Sequence, residues 1–149
     1  MKEMIRMFEK ILVPIDGSPV AIEAATVAKS IAEKFNSKIT LIHVIHHAAY
    51  SVSDTPLPAS LIKGLDDDGN QIIDQALEIF QNFNGEVIKK IEYGHPGIKI
   101  TEFCNNNNYS LVVMGNRGIS KVAKLLLGSV SNYVLHYASC PTLIVHNKK

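Results

Sequence analysis

Glycine and hydroxyl residues cluster in the segment GNRGISKVAKLLLGS, which follows the apolar run YSLVVM. The spacing is Gly115-x2-Gly118, then nine residues, then Gly128-Ser129. If a helix starts after Gly128, its unpaired backbone N–H groups and the hydroxyls of Ser129 and Ser131 form an anion site. Gly128 would let a phosphate group approach without a side chain in the way. These residue types therefore favour phosphate binding.

Each of these residues also has a purely structural interpretation. Gly115 and Gly118 are typical of a strand-to-loop turn that requires positive φ, and Gly128-Ser129 is typical of a helix cap. Arg117 either pairs with phosphate or lies in solvent. Neither GxxxxGK[ST] nor GxGxxG is present, so neither the P-loop nor the dinucleotide fingerprint is predicted.

A carboxylate stands at the end of the first apolar run, KILVPID, where Asp16 is followed by Gly17 and Ser18. Asp-Gly-Ser is also common turn chemistry before a helix. Because a carboxylate repels phosphate, Asp16 is expected away from the phosphate groups of a ligand, or near Mg²⁺ through water. His46-His47, farther along the chain, either borders this site or lies in a solvated loop.

The elements that must position these residues alternate along the chain. Apolar runs predict strands at 10–16, 37–46, 85–94, 109–115 and 140–147. Ser18 and Pro19 predict the start of the first helix, and helical spacing predicts a second over about 60–82, which DDDG at 66–69 is expected to kink or split. Further helices are expected from Pro96 and within SVSNYVLHYA.

Strands that alternate with helices pair in parallel through right-handed crossovers. The predicted fold is therefore α/β, a doubly wound open sheet of five parallel strands in the order 3-2-1-4-5 with helices on both faces. Ligands of such sheets bind beyond the carboxyl ends of the strands, where the strand order reverses. That point lies between the first and fourth strands, which end beside Asp16 and Gly115.

The glycine motif after VVMG, the opening ILVPIDGS and the second-strand LIHVI together resemble the universal stress protein family over essentially the whole chain. The resemblance implies that ATP binds here, with Mg²⁺. It implies that Asp16 and Val44, together with Pro14 in the same opening segment, lie at the base and ribose. It assigns to the ribose and phosphates Met114, Gly115, Arg117, Gly118, Gly128, Ser129, Val130 and Ser131.

The function expected from this site is that of an ATP-dependent regulatory or stress-response protein. No residue stands out as a general base or a covalent nucleophile, so any hydrolysis should be slow. One alternative is an adenylating or pyrophosphate-releasing enzyme on a similar fold, which usually carries a Ser-Gly-Gly-x-Asp-Ser-like loop where this chain has DGSPV. Another is a nucleotide-free protein that works through dimerisation and protein contacts.

Composition bounds the remaining classes. A length of 149 residues predicts a single domain over 1–149. Fifteen Lys and Arg against fourteen Asp and Glu leave +1, which predicts no nucleic-acid partner and no anionic membrane surface. No apolar stretch approaches a membrane span, and the charged N-terminus favours a cytoplasmic location. The two cysteines, Cys104 and Cys140, are expected to be buried apolar side chains.

The C-terminal strand, Pro141 to Asn147, is an edge in the predicted strand order. Its Leu143, Ile144 and Val145 form an apolar run of the kind that protected strands carry. We therefore expect a homodimer in which this strand pairs antiparallel with its copy, and the family resemblance points the same way. The alternative is that a loop or the N-terminal MKEMIRMFE covers the edge within one chain.

Overall fold

The computed structural model describes residues 8–47, 55–118 and 127–146. Within these ranges strands and helices alternate: β1 (Lys10–Pro14), α1 (Pro19–Phe35), β2 (Lys38–Ile45), α2 (Ala59–Leu77), a 3₁₀ turn (Glu78–Phe80), β3 (Val87–Tyr93), α3 (Pro96–Asn106), β4 (Leu111–Gly115), α4 (Ser129–Tyr137) and β5 (Thr142–Val145). All neighbouring strands are parallel, in the order β3-β2-β1-β4-β5. The predicted fold class is confirmed.

Side chains of the central strands alternate between two cores. Ile11 and Val13 of β1 pack with the small residues of α1 and with the end of α2, whereas Leu12 packs with side chains of α3 and α4 on the opposite face. None of the three side chains is accessible to solvent, and burying each contributes about 1.5–3 kcal/mol of transfer free energy. The sheet is therefore covered by a helix pair on each face, which leaves its carboxyl edge as the place for a site.

The first helix begins and ends as its sequence predicts. Gly17 takes φ +88, which only glycine adopts without strain. The Ser18 hydroxyl then accepts a hydrogen bond from the Ala21 N–H at 3.3 Å, so Ser18 is the N-cap of α1. The helix stops at Asn36, which takes the left-handed conformation at φ 57. The turn after β1 is thus short and fixed.

The prediction that DDDG splits the second helix is wrong, because α2 runs unbroken from Ala59 to Leu77. It also ends earlier than predicted, in the 3₁₀ turn at Glu78–Phe80. Gly69 is buried, and a Cβ there would lie 3.0 Å from Ile45 Cδ1 and 3.1 Å from His43 Cδ2. The glycine lets α2 lie close against the end of β2, and this packing outweighs the roughly 1 kcal/mol that glycine costs inside a helix.

The two edge strands differ in chemistry. β3 carries Lys89, Lys90 and Glu92 and is only half-buried, as its alternating sequence predicts. β5 has no charged residue between Thr142 and Val145, and Leu143 is 39% exposed. Charges protect an edge strand against pairing with another chain, and β5 carries none from Thr142 to Val145. In the part of the chain that the structure describes, no helix is long and apolar enough to cross a membrane.

Candidate functional site

A cavity of about 430 Å³ opens where β1, β2 and β4 end. This is the point at which the strand order reverses, and the volume suits a small ligand. The eleven residues that were predicted to bind the nucleotide all lie along it: Pro14, Asp16, Val44, Met114, Gly115, Arg117, Gly118, Gly128, Ser129, Val130 and Ser131. The tertiary structure therefore brings three distant segments to one cavity.

Asp16 is held between the first helix and the glycine loop. Its Oδ1 accepts hydrogen bonds from the Ser18 N–H at 2.9 Å and the Ser18 hydroxyl at 2.6 Å. On its other side, a Cβ at Gly118 would lie only 2.8 Å from Asp16 Oδ2. The turn interpretation of Asp16 is thus correct for one oxygen, while the carboxylate still lines the cavity.

The glycines of the motif serve close approach and not positive φ. Among the described residues the only glycines with positive φ are Gly17 and Gly94. The alternative in which Gly115 and Gly118 form a turn that requires positive φ is therefore wrong. A Cβ at Gly115 would lie 2.6 Å from Val20 Cγ1 of α1. At Gly128 it would lie 3.3 Å from the Arg117 Cα. Gly115 therefore lets the end of β4 lie close to α1, and Gly128 lets the start of α4 lie close to the backbone of Arg117 and Gly118.

The start of α4 is tied to the loop through the backbone carbonyl of Asn116. That carbonyl accepts from the Gly128 N–H at 2.7 Å and from the Ser131 hydroxyl at 2.8 Å. The Ser131 Oγ also lies 3.1 Å from the Gly128 carbonyl oxygen. Because the single hydrogen of this hydroxyl is engaged by these carbonyls, the group can only accept from a ligand. The hypothesis of two donating hydroxyls is corrected to one, the exposed Ser129.

Backbone N–H groups at the start of α4 are the second kind of hydrogen-bond donor at this site. Asn132 N–H makes the first intrahelical bond, to the Gly128 carbonyl at 3.0 Å. The amides of Ser129, Val130 and Ser131 precede it, and a helix has no intrahelical acceptor for them. Together with the positive end of the helix dipole, they suit an anion. Arg117 is half-buried on the same cavity wall.

The sequence did not identify several residues that shape this cavity. The predicted site omits Asn116 of GNRG, a polar residue that directly follows an apolar strand. Its side chain is buried, with 6% exposed. His43 donates from Nδ1 to the Ile15 carbonyl at 2.7 Å, which joins β2 to the end of β1. A further wall comes from α2, at Leu65, Asp68, Gly69 and Ile72. These four residues have the i, i+3, i+4, i+7 spacing of one helix face, and this spacing is the signal in the sequence that indicates a shared wall.

Other predictions have mixed outcomes. His46 lines the cavity, while His47 Nε2 lies 3.9 Å from Asp66 Oδ1 of α2. One interpretation of SKVAKLLL, residues 120–127, is a segment that closes over the phosphates, and the other is a partner surface; residues 120–126 lie outside the described residues. The alternative in which the N-terminus covers β5 falls largely on residues 1–7, which also lie outside them. Cys104 is buried as expected, but Cys140 is only partly so.

The cavity holds no ready-made metal cage. Within the described ranges, no group of three or more His, Cys, Asp or Glu side chains is placed to hold a metal ion. Asp16 and Asp68 nevertheless line the same cavity as Arg117. This suits Mg²⁺, which binds through one or two carboxylates, waters and the phosphates of a ligand.

The sheet is parallel, a cavity lies at its switch point, and a helix start opens into that cavity. These features define the class of the protein as a doubly wound α/β protein with a candidate small-ligand site. The universal stress protein family matches residues 7–146. The chain therefore belongs to the universal stress protein family. It is 31% identical over 150 residues to a universal stress protein of Bacillus subtilis, covering 93% of this chain and 99% of that protein.

Solved structures agree with this assignment. The universal stress protein UspA of Lactobacillus plantarum has the same fold, with a TM-score of 0.74 and 24% identity, over 93% of this chain and 97% of that one. A universal stress protein in complex with cAMP matches with a TM-score of 0.72 and 25% identity, over 94% of this chain and 98% of that one.

Proposed function

We propose that this chain, as one domain over 1–149, binds an adenine nucleotide, ATP with Mg²⁺, in the cavity at the ends of β1, β2 and β4. It would act in the cytoplasm as a regulatory or stress-response protein. The observation that carries the proposal is the convergence of eleven residues, from three segments of the sequence, on one cavity wall. The structural neighbour that holds cAMP supports an adenine nucleotide as the ligand class.

The chemistry of the cavity gives the nucleotide a direction. Pro14, Val44 and Ile72 supply apolar surface beside β1, β2 and α2, which suits a purine base. The glycine motif supplies the backbone amides of residues 129–131 and the Arg117 guanidinium, which suit phosphates. Asp16 follows Pro14 by two residues, and we propose that its carboxylate binds the ribose hydroxyls or a water molecule of Mg²⁺.

The same contacts disfavour rapid hydrolysis. A general base must have a free acceptor within reach of the attacking water. Asp16 is engaged at Oδ1 by Ser18, and we propose it at the ribose or at a water of Mg²⁺ and not beside the γ-phosphate. The bound nucleotide is therefore expected to act as a signal whose occupancy sets the state of the protein.

The adenylating-enzyme alternative fits the turn after β1 less well. Such enzymes usually carry a Ser-Gly-Gly-x-Asp-Ser-like loop after the first strand, where this chain has DGSPV. Here the Ser18 N–H donates to the Asp16 carboxylate and the Ala21 N–H donates to the Ser18 hydroxyl, and a second anion would be repelled by that carboxylate. The nucleotide-free alternative, for its part, leaves the cavity and the amides at its wall without a ligand.

Binding of nucleotide fragments tests the proposal. Calorimetric titration with ATP and Mg²⁺ should show one site per chain, with an affinity at least about tenfold above that for adenosine or tripolyphosphate, because each fragment reaches only one end. No saturable binding of ATP would refute it. Turnover should stay below about one per minute, far under the ~10 s⁻¹ of a median enzyme. A robust rate that Asp16→Asn abolishes would favour the enzyme alternative.

We further propose a homodimer through the C-terminal strand, Pro141 to Asn147. The carbonyls of Pro141 and Val145 both accept from β4. Since alternate residues of a strand point the same way, the N–H groups of Thr142 and Ile144 face the free edge. A second copy of the strand, antiparallel across a two-fold axis, would pair with them and close the assembly at two subunits.

Light scattering tests the dimer. The wild type should have twice the 16.4 kDa mass of one chain at tens of micromolar. Ile144→Pro removes the edge donor and should shift the protein towards monomer while it stays folded by circular dichroism. Ile144→Ala, which keeps the N–H, is the matched control and should remain dimeric. A wild type of 16.4 kDa would contradict the proposal.

A further inference from the structure

The only two cysteines of the chain lie against each other on the face of the sheet that α3 and α4 cover. Cys104, near the end of α3, and Cys140, just before β5, place their Sγ atoms 3.1 Å apart although 36 positions separate them. A disulfide bond is about 2.05 Å long, so the sulfurs need to approach by only about 1 Å. Cys104 is buried at 1% exposure, whereas Cys140 is partly exposed.

A clamp of hydrogen bonds holds the two backbones beside this pair. The residue after Cys104 is Asn105, whose Oδ1 accepts from the N–H and from the hydroxyl of Ser139, both at 2.9 Å. Its Nδ2 donates to the Tyr137 carbonyl at 3.2 Å. Ser139 immediately precedes Cys140, so the cysteine pair and the Asn105–Ser139 pair are successive steps between the same two segments.

We propose that Cys104 and Cys140 are a peroxide-reactive pair that forms a reversible intramolecular disulfide. Cys140 reacts first because it is the more exposed sulfur. When the Cys104 S–H is the donor of this contact, the hydrogen bond lowers the pKa of the Cys140 thiol, while the same contact, together with burial, raises the pKa of Cys104. A thiolate is the reactive form.

The chemistry balances with a hydroperoxide as oxidant. The Cys140 thiolate attacks one peroxide oxygen, the O–O bond breaks, and Cys140 becomes a sulfenic acid while hydroxide leaves; the sulfur loses two electrons to the peroxide. The Cys104 sulfur then attacks the Cys140 sulfur, an S–S bond replaces the S–O bond, and the oxygen leaves as water with the Cys104 proton. A small dithiol reverses the disulfide by exchange.

The inference does not rest on nucleotide binding. The Asn105 clamp acts as a positioning device, and neither cysteine is among the residues that line the cavity. The disulfide would join the end of α3 to the start of β5, and the whole glycine motif, from Gly115 to Ser131, would lie inside the covalent loop that it closes.

The test is oxidation of the fully reduced protein with hydrogen peroxide, followed by thiol titration and intact mass. We expect both thiols to be lost together, the mass to fall by two hydrogen atoms, the chain to stay unlinked to other chains, and dithiothreitol to restore both thiols. Because the chain has only two cysteines, thiol counting leaves no ambiguity. Persistence of both thiols, or cross-linked chains instead, overturns the proposal.

Variants separate the two steps. Cys104→Ser should form a sulfenic acid at Cys140 that a dimedone probe traps, whereas Cys140→Ser should label much less. Asn105→Ala should slow disulfide formation at least about threefold, since the sulfurs lose their fixed approach, but it should leave the sulfenic acid rate unchanged in the Cys104→Ser background. Asn106→Ala, on the exposed neighbour, is the matched control. Equal disulfide rates in both alanine variants refute the positioning role.

Discussion

Both ends of α4 are held by an asparagine of a neighbouring segment, but they present different groups. At the first turn the backbone carbonyl of Asn116 accepts from Gly128 and Ser131. After the last turn the side chain of Asn105 accepts twice from Ser139 and donates to the Tyr137 carbonyl. The two ends are therefore fixed in similar ways.

The groups that these hydrogen bonds do not engage determine what each end of α4 can bind or react with. At the first turn the amides of residues 129–131 have no intrahelical acceptor and lie along a cavity. At the last turn the Ala138 N–H donates to the Val134 carbonyl at 2.9 Å, and the Tyr137 carbonyl is taken by Asn105. The sulfurs of Cys104 and Cys140 lie 3.1 Å apart in the residues next to that end. One end thus suits reversible binding of an anion, and the other suits covalent chemistry at sulfur.

The largest expected effect separates binding from the sulfur end. In Gly128→Val, the new Cβ would lie 3.3 Å from the Arg117 Cα and 3.6 Å from the Gly118 nitrogen, so its branches would push the loop away from the helix start. ATP affinity measured by calorimetry should fall at least about tenfold, or 1.4 kcal/mol, while the rate of disulfide formation stays unchanged.

A glycine with open space is the control for that variant. Nothing lies within 4 Å of a Cβ at Gly64 of α2, so Gly64→Val should bind ATP as the wild type does. Wild-type ATP affinity in a folded Gly128→Val protein would remove the first turn of α4 from the site.

A smaller effect is expected from the hydroxyl that ties the first turn to its loop. Ser131 is 2% exposed, and Ser131→Ala removes its bonds to the Asn116 and Gly128 carbonyls. The free energy of unfolding, measured with urea, should fall by about 1 kcal/mol, and ATP affinity should fall as the helix start loosens. Ser129→Ala, at an exposed hydroxyl, should change stability by less than about 0.5 kcal/mol. Equal stabilities for the two variants would contradict this contact.

The smallest effect is expected at the other end. Asn105→Ala removes three exposed hydrogen bonds, so the free energy of unfolding should fall by about 0.5–1 kcal/mol. Nucleotide affinity should not change, because the clamp lies at the far end of the helix, and urea unfolding with parallel ATP titration measures both. A loss of ATP affinity comparable to that in Gly128→Val would show that the ends are coupled and not independent.

Local patterns were enough to predict the fold and the place of the site. Apolar runs predicted the strands, Ser18 and Pro19 predicted the start of α1, and alternation of strands with helices predicted the strand order that the structure has. These features succeed because periodicity and capping act over a few residues. The spacing of Gly115, Gly118 and Gly128 likewise identified residues that line one cavity.

The tertiary structure alone decided what those residues touch. Gly69 was expected to break a helix, yet it is buried where α2 meets β2; the reason is a steric contact with residues far away in sequence. Contacts of this kind also determine that Ser131 donates to Asn116 and that Cys104 meets Cys140. No local pattern encodes them, because packing of whole elements sets which distant atoms come within a few ångströms.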